Sequence, residues 1–116
     1  MTVGKYISNV RAKISDAVVP YRVPDTEITE SLTAALQRAR QVRPSLCYQD
    51  GVLVPDASDV AFAGATSATV RTALDRYAEA LVFLAASRVL LNDNADTLNV
   101  GLAEKYETKA MGLLGI

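Results

Sequence analysis

Asp25-Thr26-Glu27-Ile28-Thr29-Glu30-Ser31-Leu32-Thr33-Ala34-Ala35-Leu36-Gln37-Arg38-Ala39-Arg40-Gln41-Val42-Arg43-Pro44 reads as one helix and sets the class of the fold. At ~100° per residue, Ile28, Leu32, Ala35, Leu36, Ala39 and Val42 fall within an arc of roughly 120°, an apolar stripe that must face a core. Asp25 or Thr26 can accept from the free amides of the first turn, and Glu27 sets negative charge at the positive end. Arg38, Arg40 and Arg43 gather near the carbonyl end, and Pro44 stops the helix. These signals predict a helix over about 26–43.

Beyond Pro44 the period changes. Leu46-Cys47-Tyr48-Gln49, then Asp50-Gly51, then Val52-Leu53-Val54 reads as a short β-hairpin over about 46–54, because Asp-Gly supplies the positive φ angles of a two-residue turn. An isolated hairpin is barely stable in water, so this one must lean on its own helices or on a neighbouring subunit. Pro55 ends the second arm, and Asp56 to Thr66 is small, polar or Gly-containing. A third helix is predicted over about 67–91, capped by Ser67 or Thr69. Its first half is two-faced, with Val70, Ala73, Leu74, Tyr77 and Leu81 opposing Arg71, Asp75, Arg76 and Glu79. From Ala80 to Leu91 it is apolar on nearly every side except Ser87 and Arg88. Such a helix is either the central one or covered in part by another chain. Asn92 to Thr97 reads as a polar turn. A fourth helix over about 98–113 follows, with Leu98, Leu102, Tyr106, Ala110 and Leu113 on one face.

On the N-terminal side, Val3, Ile7, Val10 and Ile14 make the stripe of a first helix over about 2–18. Pro20 and Pro24 then impose an extended connector. The expected fold is therefore all-α: a four-helix domain whose long connection between the second and third helices holds a short hairpin. With 116 residues there is room for one domain and little more. Half the residues are hydrophobic and 6% aromatic, so the core is built mainly from Leu, Val, Ile and Ala.

Charge and chemistry narrow the function classes. Lys plus Arg number 12 and Asp plus Glu 13, without the basic excess of a dedicated nucleic-acid binder. Arg38, Arg40 and Arg43 do not share one narrow face, which favours helix-end electrostatics over phosphate tracking. A single cysteine, Cys47, excludes an internal disulfide, and the opening residues lack the layout of a secretory signal; a cytosolic, soluble protein is expected. The longest apolar stretch, Ala80 to Ala86, is far short of a membrane span.

The chain has no histidine, which removes the commonest general base, the Ser–His and Cys–His pairs and the commonest metal ligand. Glycines stand singly, so no phosphate-cradling loop is present. Asn92-Asp93-Asn94-Ala95-Asp96 lacks the turn glycine and the spacing of a calcium loop. Asp56 and Asp59 sit in a small-residue loop and read as solvated. No catalytic, cofactor or metal residue is expected, and an enzyme is the weakest class. What exceeds the needs of one small core is apolar surface. The candidate interface residues are Leu46, Tyr48, Val52, Leu53 and Val54 of the hairpin, with Leu113, Leu114 and Ile116 of the apolar final segment.

The order of several motifs resembles a known family. Tyr21-Arg22-Val23-Pro24-Asp25-Thr26-Glu27-Ile28 is an aromatic, then polar-cap, then acidic-aliphatic helix start. Ala39-Arg40, Arg43-Pro44-Ser45-Leu46, Ala73-Leu74-Asp75-Arg76-Tyr77-Ala78, and then Asn99, Ala103 and Tyr106 follow. Together they resemble the small helical head–tail adaptor (connector, or head-completion) proteins of tailed bacteriophages, with Tyr21 standing where that family often has tryptophan. The resemblance implies a homo-oligomeric ring, commonly a dodecamer, in the virion neck, assembled in the host cytoplasm. Its partners would be the portal protein on one side and a tail, stopper or tail-terminator protein on the other. DNA would only pass through the channel, and no membrane is involved. The hairpin is then expected to reach a neighbouring subunit and the final segment to dock on the portal. The alternatives are a small α-helical protein-binding or regulatory module, or another neck or tail-completion protein.

Overall fold

The computed structural model describes residues 1–14, 23–49, 51–54, 62, 69–70, 72–92 and 98–115. The connector 15–22, Asp50, the Asp56/Asp59 pair, the Ser67 cap, the polar turn 93–97 and Ile116 lie outside the described residues. Among those described are four α-helices: α1 (Val3–Lys13), α2 (Asp25–Val42), α3 (Ala78–Asn92) and α4 (Leu98–Leu113). One antiparallel hairpin, β1 (Tyr48–Gln49) with β2 (Val52–Leu53), stands between α2 and α3. The fold is all-α with a short β-hairpin in the α2–α3 connection.

α3 is the axis of the bundle. Eleven of its residues are buried, and only Glu79, Arg88, Leu91 and Asn92 are exposed. It packs most extensively on α4, then on α2, then on α1. The chain thus covers with its own helices the all-round apolar surface that sequence left open to a partner. Each fully buried Leu, Val or Phe contributes about 1.5–3 kcal/mol. Small residues at the seams bring the backbones close: Ala80, Ala85 and Ala86 on α3, Ala103 and Ala110 on α4, Ala35 and Ala39 on α2, all buried. Between α3 and α4 the buried Ser87 hydroxyl donates to the Ala103 carbonyl at 2.9 Å. That bond meets the hydroxyl's need for a partner once it is out of water.

Three element ends meet. Arg43, just past α2, lies over the Tyr77 ring at the start of α3 and donates to the Leu114 carbonyl at the end of α4, 3.1 Å. The start of α1 joins the same end, because Thr2 makes an isolated antiparallel bridge with Thr69 and Val70 N–H donates to the Met1 carbonyl at 2.9 Å.

That pairing accounts for the main difference from the sequence expectation. A helix over 67–91 is predicted, yet the backbone at Thr69 and Val70 is committed to α1. A 3-10 segment, Thr72–Tyr77, follows, and the α-helix begins only at Ala78. α1 ends at Lys13 rather than near 18; its Lys13 carbonyl is taken by the Tyr106 hydroxyl at 3.0 Å. α2 begins one residue early, with Pro24 at the cap and no side-chain cap bond. The Asp25 carboxylate is turned away to the Arg11 guanidinium. Arg43 leaves helical geometry at φ −129°, as a residue before proline must. In the hairpin, Leu46 and Cys47 belong to a 3-10 turn, Pro44–Cys47, so the first strand is shorter than 46–49. On α4 the buried line is Ala103, Ala110 and Leu114, with Leu102 and Tyr106 half-buried. Leu113, expected on that face, is exposed; at ~100° per residue it lies about 60° from Ala110, off the line that Ala103 and Ala110 share.

Tyr6 marks a polar cost inside the core. Its side chain is fully buried and meets the Phe62 ring edge-on, with centroids 5.0 Å apart. Its hydroxyl has no hydrogen-bond partner among the described residues. Burial, with a smaller push from the charge of Asp75, raises the phenol from 10.0 to about 12. An unfolded chain therefore gives up this proton near pH 10 while the folded chain keeps it, and stability falls as pH rises through that window. In urea titrations, Tyr6→Phe should be as stable as wild type or more so at neutral pH, since it deletes an unsatisfied buried group. Between about pH 9.5 and 11.5 it should lose less stability than wild type. Equal losses in the two proteins would refute this account of Tyr6.

Candidate docking surface

The surface begins with the arginines, which fix where the apolar residues stand. Arg11, 4% exposed, donates to the Val23 carbonyl at 2.8 Å and pairs with Asp25, tying α1 to the start of α2. Arg38 on α2 pairs with Glu107 on α4. Arg40, buried, donates to the Val54 carbonyl at the foot of β2, and Arg43 to the Leu114 carbonyl. The basic cluster noted in the sequence is thus engaged inside the chain at all three positions. Arg43 brings a cation to the carbonyl end of α4, where the helix dipole favours it.

The hairpin is held from below. Leu46, 2% exposed, is part of the core, and the Cys47 thiol lies 3.9 Å from the Arg40 carbonyl. Val54 N–H closes the base on the Cys47 carbonyl at 2.7 Å. At the tip, Gly51 has φ +78°, the left-handed geometry expected of a two-residue turn. Tyr48 faces Leu53 across the ladder, and Gln49 faces Val52. Directly opposed residues share one side of a sheet, so Tyr48 and Leu53 form an apolar pair on one side and Val52 sits on the other. Tyr48, Leu53 and Val52 are 47%, 58% and 67% exposed.

The end of α4 lies nearby, through Arg43. Leu113 is exposed, whereas Leu114 is 1% exposed and belongs to the core. Gly115 follows with φ +88°, a left-handed close to the helix, and a Cβ there would come within 2.9 Å of Arg43 Nη1.

Of the expected interface residues, the structure exposes Tyr48, Val52, Leu53 and Leu113 at one end of the bundle and leaves Val54 half-buried. It corrects two: Leu46 and Leu114 point into the core, Leu46 from the 3-10 turn in which its N–H donates to the Arg43 carbonyl, and Leu114 from the chain end that Arg43 holds. Sequence reading also missed Leu91 and Val100, exposed on α3 and α4, which carry no signal apart from neighbouring polar residues. Among the described residues no group of three or more His, Cys, Asp or Glu is placed to hold a metal ion, and no helix is long and apolar enough to cross a membrane. In comparison with protein families, curated proteins and solved structures, nothing matches the chain.

The division between exposed and core leucines has a direct readout. Leu46→Ala should lower unfolding free energy by about 2–5 kcal/mol, as deletion of a buried leucine does. Leu53→Ser should stay within about 0.5 kcal/mol of wild type, as surface changes do. Both are measured by urea unfolding, and equal effects would contradict this placement.

Proposed function

We propose that this chain is a structural, partner-binding protein, the head–tail adaptor of a tailed-phage neck. In this reading it forms a homo-oligomeric ring between the portal and the tail or its stopper, and it catalyses no reaction. The observation that carries the reading is the apolar hairpin, Tyr48, Val52 and Leu53, held out from a helical bundle that is already complete. A small core of its own gives no reason to keep that apolar surface in water, and a contact with another chain does. A ring subunit needs two different surfaces that meet and close by rotation. The hairpin and the exposed Leu113 region supply candidates for the two tasks, one toward the next subunit and one toward the portal.

The internal engagement of Arg38, Arg40 and Arg43 supports the reading too, because a channel wall that grips phosphate would hinder sliding DNA. The motif order from Tyr21 to Tyr106 is the ground for the specific choice of the neck over a small helical regulatory module.

Native mass spectrometry or light scattering tests the proposal, on the chain alone and mixed with a candidate portal protein. A closed ring, or a complex with the portal, is the expected outcome. A Val52→Asp/Leu53→Asp chain should lose ring closure, and Leu113→Asp should lose the portal complex, with far-UV circular dichroism still helical in both. A chain that stays monomeric and ignores the portal would overturn the neck reading in favour of the regulatory module.

A further inference from the structure

The outward side of α2 carries a row that the bundle does not use. Glu30, Ala34 and Arg38 follow at four-residue intervals, a step that keeps side chains in one inclined row along a helix. Glu30 and Arg38 are exposed, and Ala34 is half-buried. Two shallow hollows meet at Ala34, one bounded by Glu30 and Gln37, the other by Arg38, Arg88 and Leu91. The row is acidic at its start, bare at its middle and basic at its end. Glu27, one turn earlier, adds to the acidic end, and Arg88 to the basic one. Turned end for end, such a row is its own complement.

We propose that this face of α2 binds a second copy of the chain about a two-fold axis at Ala34, with Glu30 of each copy facing Arg38 and Arg88 of the other. A two-fold contact requires one self-complementary patch, and the row meets that requirement. Glu30 precedes Ala34 by four residues and Arg38 follows it by four, so reversal sets unlike charges together twice. At ~1.5 Å rise per residue each pair falls about 6 Å from the axis. Rows of this kind lie side by side when two helices cross at about 50° with axes about 8–10 Å apart. A methyl side chain at the crossing permits that distance. The reversed arrangement also sets the positive end of each α2 dipole toward the negative end of the other.

Arg38 already pairs with Glu107, but a guanidinium has five N–H donors and can hold a second carboxylate. Neither Glu30 nor Arg88 is in an ion pair among the described residues. Leu91, exposed beside Arg88, adds apolar contact at the rim. One helix face is small against the roughly 1,200–2,000 Å² of a stable pair, so the dimer dissociates at roughly tens of micromolar. The inference rests on the α2 surface and not on the neck reading: a ring closes through unlike patches, whereas this contact joins like with like.

Sedimentation velocity over about 1–200 µM tests the pairing. A concentration-dependent two-fold pairing is expected, monomer to dimer or, where rings have closed, ring to pair of rings, weakened in about 0.5 M salt. Glu30→Arg, which breaks no described intramolecular contact, should weaken pairing by about tenfold or more, and the full swap Glu30→Arg/Arg38→Glu/Arg88→Glu should restore it. Ala34→Cys in a Cys47→Ser chain should link to itself under mild oxidation, since two α-carbons at the crossing come within disulfide reach. Lys105→Cys in the same background, on α4, is the control. Four results would each overturn the proposal: a wild-type chain with no such pairing, an undiminished pairing in Glu30→Arg, a helical triple variant that does not pair, or an Ala34→Cys chain that links no faster than the control.

Discussion

A helix that is apolar on every side has to be enclosed on every side, and α3 imposes that condition on the whole chain. Three further helices are needed to wrap it, and each must present an apolar stripe of its own. α1 and α2 do so with β-branched and leucine side chains, Val3, Ile7, Val10, Ile28, Leu32 and Leu36, all buried. α4 does so with alanine and one terminal leucine, Ala103, Ala110 and Leu114. The reliance on alanine brings α4 close enough for Ser87 to reach a backbone carbonyl across the seam. The Tyr6 hydroxyl on α1 is costly for a separate reason, since it is buried beside Phe62 without a hydrogen-bond partner among the described residues.

Arginine rather than further apolar surface joins the elements at their ends. Arg11 ties α1 to α2, Arg40 ties the hairpin to α2, and Arg43 ties α4 to α2. A buried cation is expensive unless several oxygen atoms receive it, and Arg11 is met by both a carbonyl and a carboxylate. All three joints touch α2 or its flanks. α2 is thereby the frame on which the ends of the other elements are registered, while α3 is the mass they enclose.

The fold class was legible because the stripes were. Ile28, Leu32, Ala35, Leu36 and Ala39 on α2, and Val3, Ile7, Val10 and Ile14 around α1, are buried as their spacing demands. Legibility failed where long-range backbone pairing overrode local period. Val70 and Leu74 carry helical spacing and are buried, yet Thr69 and Val70 are bonded to the start of α1, and the α-helix waits until Ala78. It failed in part on α4, where Ala110 is buried as expected but the fully buried line also takes in Ala103 and Leu114 and leaves Leu113 outside. Within the candidate surface, Tyr48, Val52, Leu53 and Leu113 were legible as surplus apolar residues. Leu46 and Leu114 were not separable from them, because what turns those two inward is a 3-10 turn at Leu46 and the close of α4 held by Arg43 at Leu114, and neither has a signature in hydrophobic pattern.

The choice of carbonyl oxygens as anchors has its own consequence. Arg40 holds the hairpin by the backbone of Val54, and Arg43 holds the close of α4 by the backbone of Leu114. Neither grip reads the side chains at 52, 53 or 113, and those residues contribute little to the interior. Residue identity at the tip is therefore uncoupled from the framework beneath it. Such a chain can drift or be redesigned at its outermost positions, exchanging one binding specificity for another, while folding proceeds as before.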